Sequence, residues 1–207
     1  MSIEAVIFDI GNVLIEWQPE RHYDSVIGQD RRRAMFAEVD LHEMNNRVDL
    51  GHPFKETIYQ TAEAYPAWRD EIRLWHDEWI KMASPAIDHS VHLLRTLRAK
   101  AIPVFALTNF GVESFAYAET QYPFLAEFDR RYVSGHMEVV KPDVTIYERV
   151  EQDCGVAPAN LLFADDRSDN IAVANERGWQ THLFEHPKGW ADRLVREGLL
   201  SEAEARP

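Results

Sequence analysis

Ala5-Val-Ile-Phe-Asp9-Ile-Gly11-Asn12-Val-Leu14 decides how the rest of the chain is read. Ala5 to Phe8 is a short apolar run that stops on a carboxylate and a Gly-Asn pair. A run of that length bounded by turn residues predicts a buried strand of a parallel sheet, covered on both faces. Asp9 then stands just beyond the strand's carboxyl end, where open α/β sheets collect their ligands. Gly11 lets the backbone turn sharply or approach a ligand closely. An ionised carboxylate in that place can serve as a nucleophile or as a ligand to a hard metal ion. It can equally be a turn residue that bonds the backbone two positions on.

Working outward, the sequence changes character after Ile15. Trp17-Gln-Pro19-Glu20 ends the strand, and Pro19 predicts a helix start. From there to Met82 the chain is rich in charge and aromatics. Ile72, Trp75, Trp79 and Met82 recur at helical spacing, with breaks at Asp49-Leu-Gly51-His-Pro53 and Tyr65-Pro66. Several helices in place of a single crossover predict an inserted helical cap over the site beside Asp9. Strand and helix then alternate. An amphipathic helix over 86–99 leads to the strand Ile102–Leu107, and helix 112–121 to a short strand near 131–133. A helix face of Ile146, Val150 and Cys154 precedes the strand Leu161–Ala164. Helix 171–177, stopped by Gly178, precedes the strand Gln180–Phe184. The expected class is α/β, a Rossmann-like parallel sheet flanked by helices. The core occupies 1–16 and 84–207, and the cap 17–83.

The 207 residues suit one core of ordinary size plus that insertion. Hydrophobic residues at 45% and charged residues at 28% describe a globular chain rather than a disordered one. A net charge of −13 argues against nucleic-acid and anionic-membrane partners, which reward clustered Lys and Arg. The single cysteine, Cys154, cannot form an internal disulfide. No run reaches the length of a membrane span, and no secretory leader pattern opens the chain. A soluble cytoplasmic protein, monomer or homodimer, is expected, with a small molecule as its partner.

Three further groups follow apolar runs. Thr108 after Leu107 offers a hydroxyl for an anion, or a helix cap. Lys141 before Pro142 offers a point charge suited to phosphate, or a solvated surface charge. Asp165-Asp166 puts two carboxylates side by side, which repel unless a cation lies between them. Mg²⁺, a hard ion that prefers oxygen, suits that pair, although an acidic helix start is the plainer alternative. None of the nine histidines shows a zinc spacing.

Asp9, Thr108, Lys141 and Asp165-Asp166, in this order and each after the expected element, resemble the four motifs of the haloacid dehalogenase-like hydrolase superfamily. The wording Phe-Asp-Ile-Gly-Asn-Val-Leu is most similar to alpha-D-glucose-1-phosphate phosphatase-like members. The resemblance implies a phosphatase in which Asp9 attacks phosphorus and forms an aspartyl-phosphate. It implies Mg²⁺ held by Asp9, the Gly11 carbonyl and Asp166, with Asp165 or Asn170 in the outer shell. Thr108, Lys141, Asn12 and Asn109 are then expected around the phosphoryl group, and Trp17, Arg21, His22, Glu43 and Arg47 of the cap around the rest of the substrate. A sugar phosphate, such as a sugar 1-phosphate, is the expected substrate class.

A 2-haloacid dehalogenase using Asp9 on carbon is an alternative, but it has little use for Asp165-Asp166. A non-catalytic binding protein is a second alternative. One departure stands out. Gly11 occupies the position where the superfamily usually carries a second Asp that protonates the leaving group. Either the substrate has an acidic leaving group, or a cap residue such as His22 or Glu43, or a water, supplies the proton.

Overall fold

The structure, a computed structural model, describes residues 2–207, so only the first residue of the expected 1–16 segment lies outside it. Strand β1 (Ala5–Phe8) is wholly buried, as its unbroken apolar run requires. Its side chains alternate between two cores. Val6 and Phe8 belong to the larger cluster, and Ala5 and Ile7 to a second one. Phe8 meets Trp190 edge-on at 5.6 Å between ring centroids on one side. Across the sheet Tyr147, Phe163 and Trp179 pack against each other.

Four more strands pair in parallel around β1: β4 (Val104–Thr108), β5 (Arg130–Val133), β6 (Leu161–Asp165) and β7 (Gln180–Leu183). The order is β5-β4-β1-β6-β7. Phe8 stands opposite Ala106 on one side and Ala164 on the other. The chain therefore builds outward from β1 in one direction, then returns to build in the other. Such a reversal opens a crevice at the carboxyl ends of β1, β4 and β6. Asp9, Thr108 and Asp165 stand at those three ends.

Between β2 (Ile15–Trp17) and β3 (Ala83–Ala86) lie six helices: α1 (Pro19–Ile27), α2 (Gln29–Glu38), α3 (Leu41–Asp49), α4 (Phe54–Ala64), α5 (Arg69–Asp77) and α6 (Trp79–Met82). Tyr23, Met35, Met44, Ile58, Ile72, Trp75 and Met82 are fully or almost fully buried among them. Pro19 opens α1 as expected, because its fixed φ suits a first helical turn and its missing N–H is no loss there.

The structure departs from the sequence reading at the two ends of this helical segment. Ile15–Trp17 pairs antiparallel with Ala83–Ala86, Trp17 opposite Ala83. Trp17 is thus part of a strand, not a break after one. The next helix, α7 (Asp88–Ala99), starts two residues later than its apolar spacing suggests. A three-residue strand has no period to detect, and its partner lies on the far side of six helices.

The remaining helices, α8 (Val112–Gln121), α9 (Ser134–Met137), α10 (Val144–Cys154), α11 (Ser168–Glu176) and α12 (Pro187–Arg196), complete the core. Among the described residues no helix is long and apolar enough to cross a membrane.

Candidate active site

Asp9 prolongs β1 by one step, its N–H donating to the Ala164 carbonyl at 2.9 Å. The chain then folds back on itself. Asn12 N–H donates to the Ile15 carbonyl, and Ile15 N–H to the Ile10 carbonyl. Asn12 takes the left-handed conformation (φ 55°) that Asn tolerates better than most residues. Its side chain ties the turn to the neighbouring strand end. Nδ2 donates to Asp166 Oδ2 at 2.9 Å, while Oδ1 accepts from the Trp17 N–H at 2.9 Å.

Lys141 is buried at the centre of the site. Its Nζ contacts three acceptors: Asp165 Oδ2 at 2.6 Å, the Leu107 carbonyl at 2.8 Å and Asp9 Oδ1 at 3.0 Å. An ammonium carries three donors, so this one is fully satisfied. Burial works to lower its pKa, but Asp165 and Asp9 outweigh that and hold it above the ordinary lysine value. The Lys141 backbone is gripped by Asn109, which donates to its carbonyl at 2.9 Å and accepts from its N–H at 2.7 Å. Asn109 therefore serves the position of Lys141, and both its amide atoms are engaged within the protein.

Asp165 is fully buried and saturated as well. Besides Lys141, Oδ1 accepts from the Arg167 N–H at 2.8 Å, and Asn170 Nδ2 reaches both carboxylate oxygens at 3.0 Å. Asp166, less buried, bonds Asn12. Ligand oxygens of Asp9, Asp165 and Asp166 all lie within 4.8 Å of one another. Asp9 shows the consequence. Burial, helped by Asp165 and Asp166 and opposed by Lys141, leaves its carboxyl pushed up to about 7. Three carboxylates facing one lysine leave an uncompensated negative charge, which a hard divalent cation would neutralise. The residues fit such an ion. They offer hard oxygen donors, and Asn170 Oδ1 is buried with no hydrogen-bond partner among the described residues. Asp9 and Asp166 are free to ligate directly, whereas Asp165 is already saturated and suits the outer shell.

These groups line a cavity of about 610 Å³, within the range of small-molecule sites. Asp9, Gly11, Asn12, Thr108, Asn109, Lys141, Asp166 and Asn170 enter from the sheet side, and Trp17 and Glu43 from the helical segment. Asp165, fully buried, does not reach its wall, and neither do three candidates from the helical segment. Arg21 is exposed and pairs with Glu16 at 2.6 Å. His22, on the buried face of α1, pairs with Glu78 at 2.8 Å. Arg47 donates to Thr61 Oγ1 at 3.0 Å and lines a separate, smaller cavity between α3 and α4. Each is a helix residue whose orientation depends on how the six helices pack, which a linear pattern does not encode.

Asp49 was missed. The sequence reads Asp49-Leu-Gly51 only as a helix break, yet Asp49 lines the cavity with Asp40, Asn45, Trp75 and Trp79. Burial raises its carboxyl to about 7, and the charge of Asp9 adds to the rise; Asn45 and Lys141 oppose it.

The helical segment is docked on the loops that follow β4 and β5 by backbone contact. Ser134 Oγ donates to the Asp49 carbonyl at 2.6 Å and accepts from the Phe110 N–H at 2.9 Å. Gly51 adopts φ 101°, and a Cβ there would come to 2.7 Å from the Gly135 carbonyl oxygen. A Cβ on Gly135 would come to 2.8 Å from the Phe110 carbonyl oxygen and 2.9 Å from the Val112 nitrogen. Gly135→Ala must therefore push backbone against backbone. We expect a loss of roughly 1–3 kcal/mol in unfolding free energy and a raised KM, read by thermal unfolding and initial rates. An unchanged melting point would show that the loops separate freely.

A family model described as haloacid dehalogenase-like hydrolase matches residues 3–178. The chain belongs to that family.

Among relatives of this haloacid dehalogenase-like hydrolase, D-ribitol-5-phosphate phosphatase from Bacteroides thetaiotaomicron is 25% identical, over 93% of this chain and 97% of that one. Drimenol cyclase from Aspergillus calidoustus is 24% identical over 98% of this chain, which spans only 38% of that protein's length. The crystal structure of a HAD family enzyme from B. thetaiotaomicron, in complex with magnesium and inorganic phosphate, superposes with a TM-score of 0.69. It covers 89% of this chain and 96% of that one at 22% identity, so the hydrolase fold is shared.

Proposed function

We propose that this hydrolase is a Mg²⁺-dependent phosphatase acting on a small phosphomonoester, a sugar phosphate such as a sugar 1-phosphate. The observation that carries the reading is the cluster of Asp9, Asp165 and Asp166 around one buried lysine at the mouths of β1, β4 and β6. A dehalogenase attacking carbon has no need of surplus negative charge that only a cation relieves.

Asp9 is the nucleophile. It attacks phosphorus and forms an aspartyl-phosphate, which divides hydrolysis into two easier steps. The Thr108 hydroxyl takes a phosphoryl oxygen, while Lys141, its three donors committed, offsets the phosphoryl charge and keeps Asp9 from drifting. Asp9, Asp166 and the Gly11 carbonyl would hold Mg²⁺, with Asp165 and Asn170 behind them. The ion supplies charge neutralisation between the carboxylate and the phosphate and fixes their approach. Residues 17–83 act as a cap. Their docking over the cavity excludes bulk water and gives Trp17, Trp79 and Glu43 the choice of leaving group.

Phosphate release from a panel of phosphomonoesters, with and without EDTA, tests this reading beside halide release from 2-chloropropionate. We expect activity that disappears on chelation and returns with Mg²⁺. Asp166→Ala should raise the Mg²⁺ requirement at least tenfold or abolish activity, because the ion would lose one of its two direct carboxylate ligands. Full activity after exhaustive chelation, or halide release without phosphate release, sinks it.

A further inference from the structure

The phosphatase reading leaves one chemical problem open, and the structure contains an answer. Gly11 offers no side chain to protonate the departing oxygen. A Cβ built there would meet only the Trp17 Cβ, at 4.0 Å, so the place of a proton donor is open space. The two side chains that the sequence suggested as substitutes do not suit the task. His22 is buried against Glu78 and absent from the cavity wall. Glu43 lines the cavity but belongs to the exposed residues of α3.

We propose that Asp49 is the general acid that protonates the leaving oxygen, aimed by a chain of hydrogen bonds from Trp75 through Asn45. The inference rests on the phosphatase reading. Its geometry follows from the donors. Trp75 Nε1 can only donate, and it donates to Asn45 Oδ1 at 3.0 Å. That contact decides which way the Asn45 amide faces. Nδ2 must then be the atom turned to Asp49, and it donates to Oδ2 at 2.9 Å. Oδ2 therefore accepts, so in the neutral acid the proton resides on Oδ1. Among the described residues no hydrogen bond engages Oδ1.

The same chain fixes where the acid stands. Trp75 is fully buried, Asn45 is one helical turn before Asp49, and the Asp49 carbonyl is held by Ser134. At this end of α3 the Gly51 and Gly135 backbones approach closely, so the helix end sits directly on the loop after β5. Asp49 is also the last residue of α3, where the helix dipole opposes a negative charge and favours the protonated carboxyl. Burial and the nearby charge of Asp9 act in the same direction. A carboxylic acid that keeps its proton near neutrality is what the step needs.

The step balances. Asp9 bonds to phosphorus, the bond from phosphorus to the leaving oxygen breaks, and the Asp49 Oδ1 proton passes to that oxygen. Asp49 is left as a carboxylate. When water attacks the aspartyl-phosphate, Asp49 takes its proton, the phosphorus–Asp9 bond breaks, and both carboxyl groups return to their starting state.

Asp49→Asn tests the assignment, because the amide keeps the size of the side chain and an oxygen for Asn45 while removing the proton. The readout is kcat/KM across aryl and alkyl phosphates of graded leaving-group pKa, with Mg²⁺ present, for wild type, Asp49→Asn and Glu43→Gln. Wild type should depend weakly on leaving-group pKa. Asp49→Asn should lose about 10²–10⁴-fold on alkyl phosphates and far less on p-nitrophenyl phosphate, whose leaving group needs no proton. Trp75→Phe, which frees the Asn45 amide to turn, should lower kcat on alkyl phosphates with little change in KM. Equal loss across the whole series, no loss, or a leaving-group-dependent loss in Glu43→Gln instead overturns the assignment and leaves the phosphatase reading intact. Wild type that releases no phosphate from any ester overturns both.

Discussion

Asp9→Asn should reduce phosphate release by at least about 10³-fold, since loss of a nucleophile removes the covalent route itself. An amide is a poor nucleophile and a poor ligand for a hard cation, so both expected roles of Asp9 fail together. The fold should survive. Lys141 keeps Asp165 and the Leu107 carbonyl as partners, and the β1 backbone bond to Ala164 does not involve the side chain. Burial already drives the Asp9 carboxyl up to about 7, against Lys141 and with the help of Asp165 and Asp166. Removing that charge relieves repulsion, and the variant should melt no lower than wild type. Initial rates with p-nitrophenyl phosphate, beside circular dichroism unfolding, measure both. A folded variant that keeps more than about a tenth of wild-type kcat, where each tenfold is about 1.4 kcal/mol of barrier, rules out Asp9 as the nucleophile.

Lys141→Met should damage stability most. Breaking a buried ion pair by deleting one partner typically costs about 3–5 kcal/mol, because the remaining charge is left in low dielectric. Here two carboxylates, Asp9 and Asp165, lose the same cation at once. In a chain of this length each kcal/mol moves the melting point by roughly 2–4 °C, so a fall of about 10 °C is expected. Activity should fall with it, since Lys141 also offsets the phosphoryl charge in the proposed mechanism. Pairing the change with Asp165→Asn separates charge from packing. The double variant should recover part of the lost stability, because one uncompensated carboxylate has gone, but none of the activity. If the double variant is less stable than Lys141→Met by the full cost of a second deletion, the two residues act independently and the central pair is not electrostatic in origin.

Much of the core was legible without a structure. Ala5–Phe8 reads as a doubly covered strand because four consecutive apolar residues cannot face water on either side. Strands at 104–108 and 161–165 carry the same signature. Residues that follow such runs must lie at strand ends, and parallel strands put those ends along one edge. The meeting of Asp9, Thr108 and the Asp165-Asp166 pair thus depends on topology that local patterns already imply, whereas Lys141 arrives on the loop between α9 and α10. The helical character of the segment after Trp17 was equally plain from its spacing.

The tertiary structure decided what rotation and long-range pairing control. Trp17 became part of β2 only because Ala83 lies opposite it. Arg21, His22 and Arg47 sit on helices whose spacing says which residues share a face, but not which way that face turns once six helices pack. Asn109 and Asp165 proved to be saturated by Lys141, a fact of distances that no motif records. Asp49 is the clearest instance. In sequence it is one carboxylate before a Leu-Gly-His-Pro break, indistinguishable from an ordinary helix end. It faces the cavity because Gly51 and Gly135 let two backbones touch, and its amide partner is turned by a buried tryptophan thirty residues further along the chain. Strand ends are set by local hydrophobicity and parallel topology, whereas the direction of a helix side chain is set by the shape of everything packed against it.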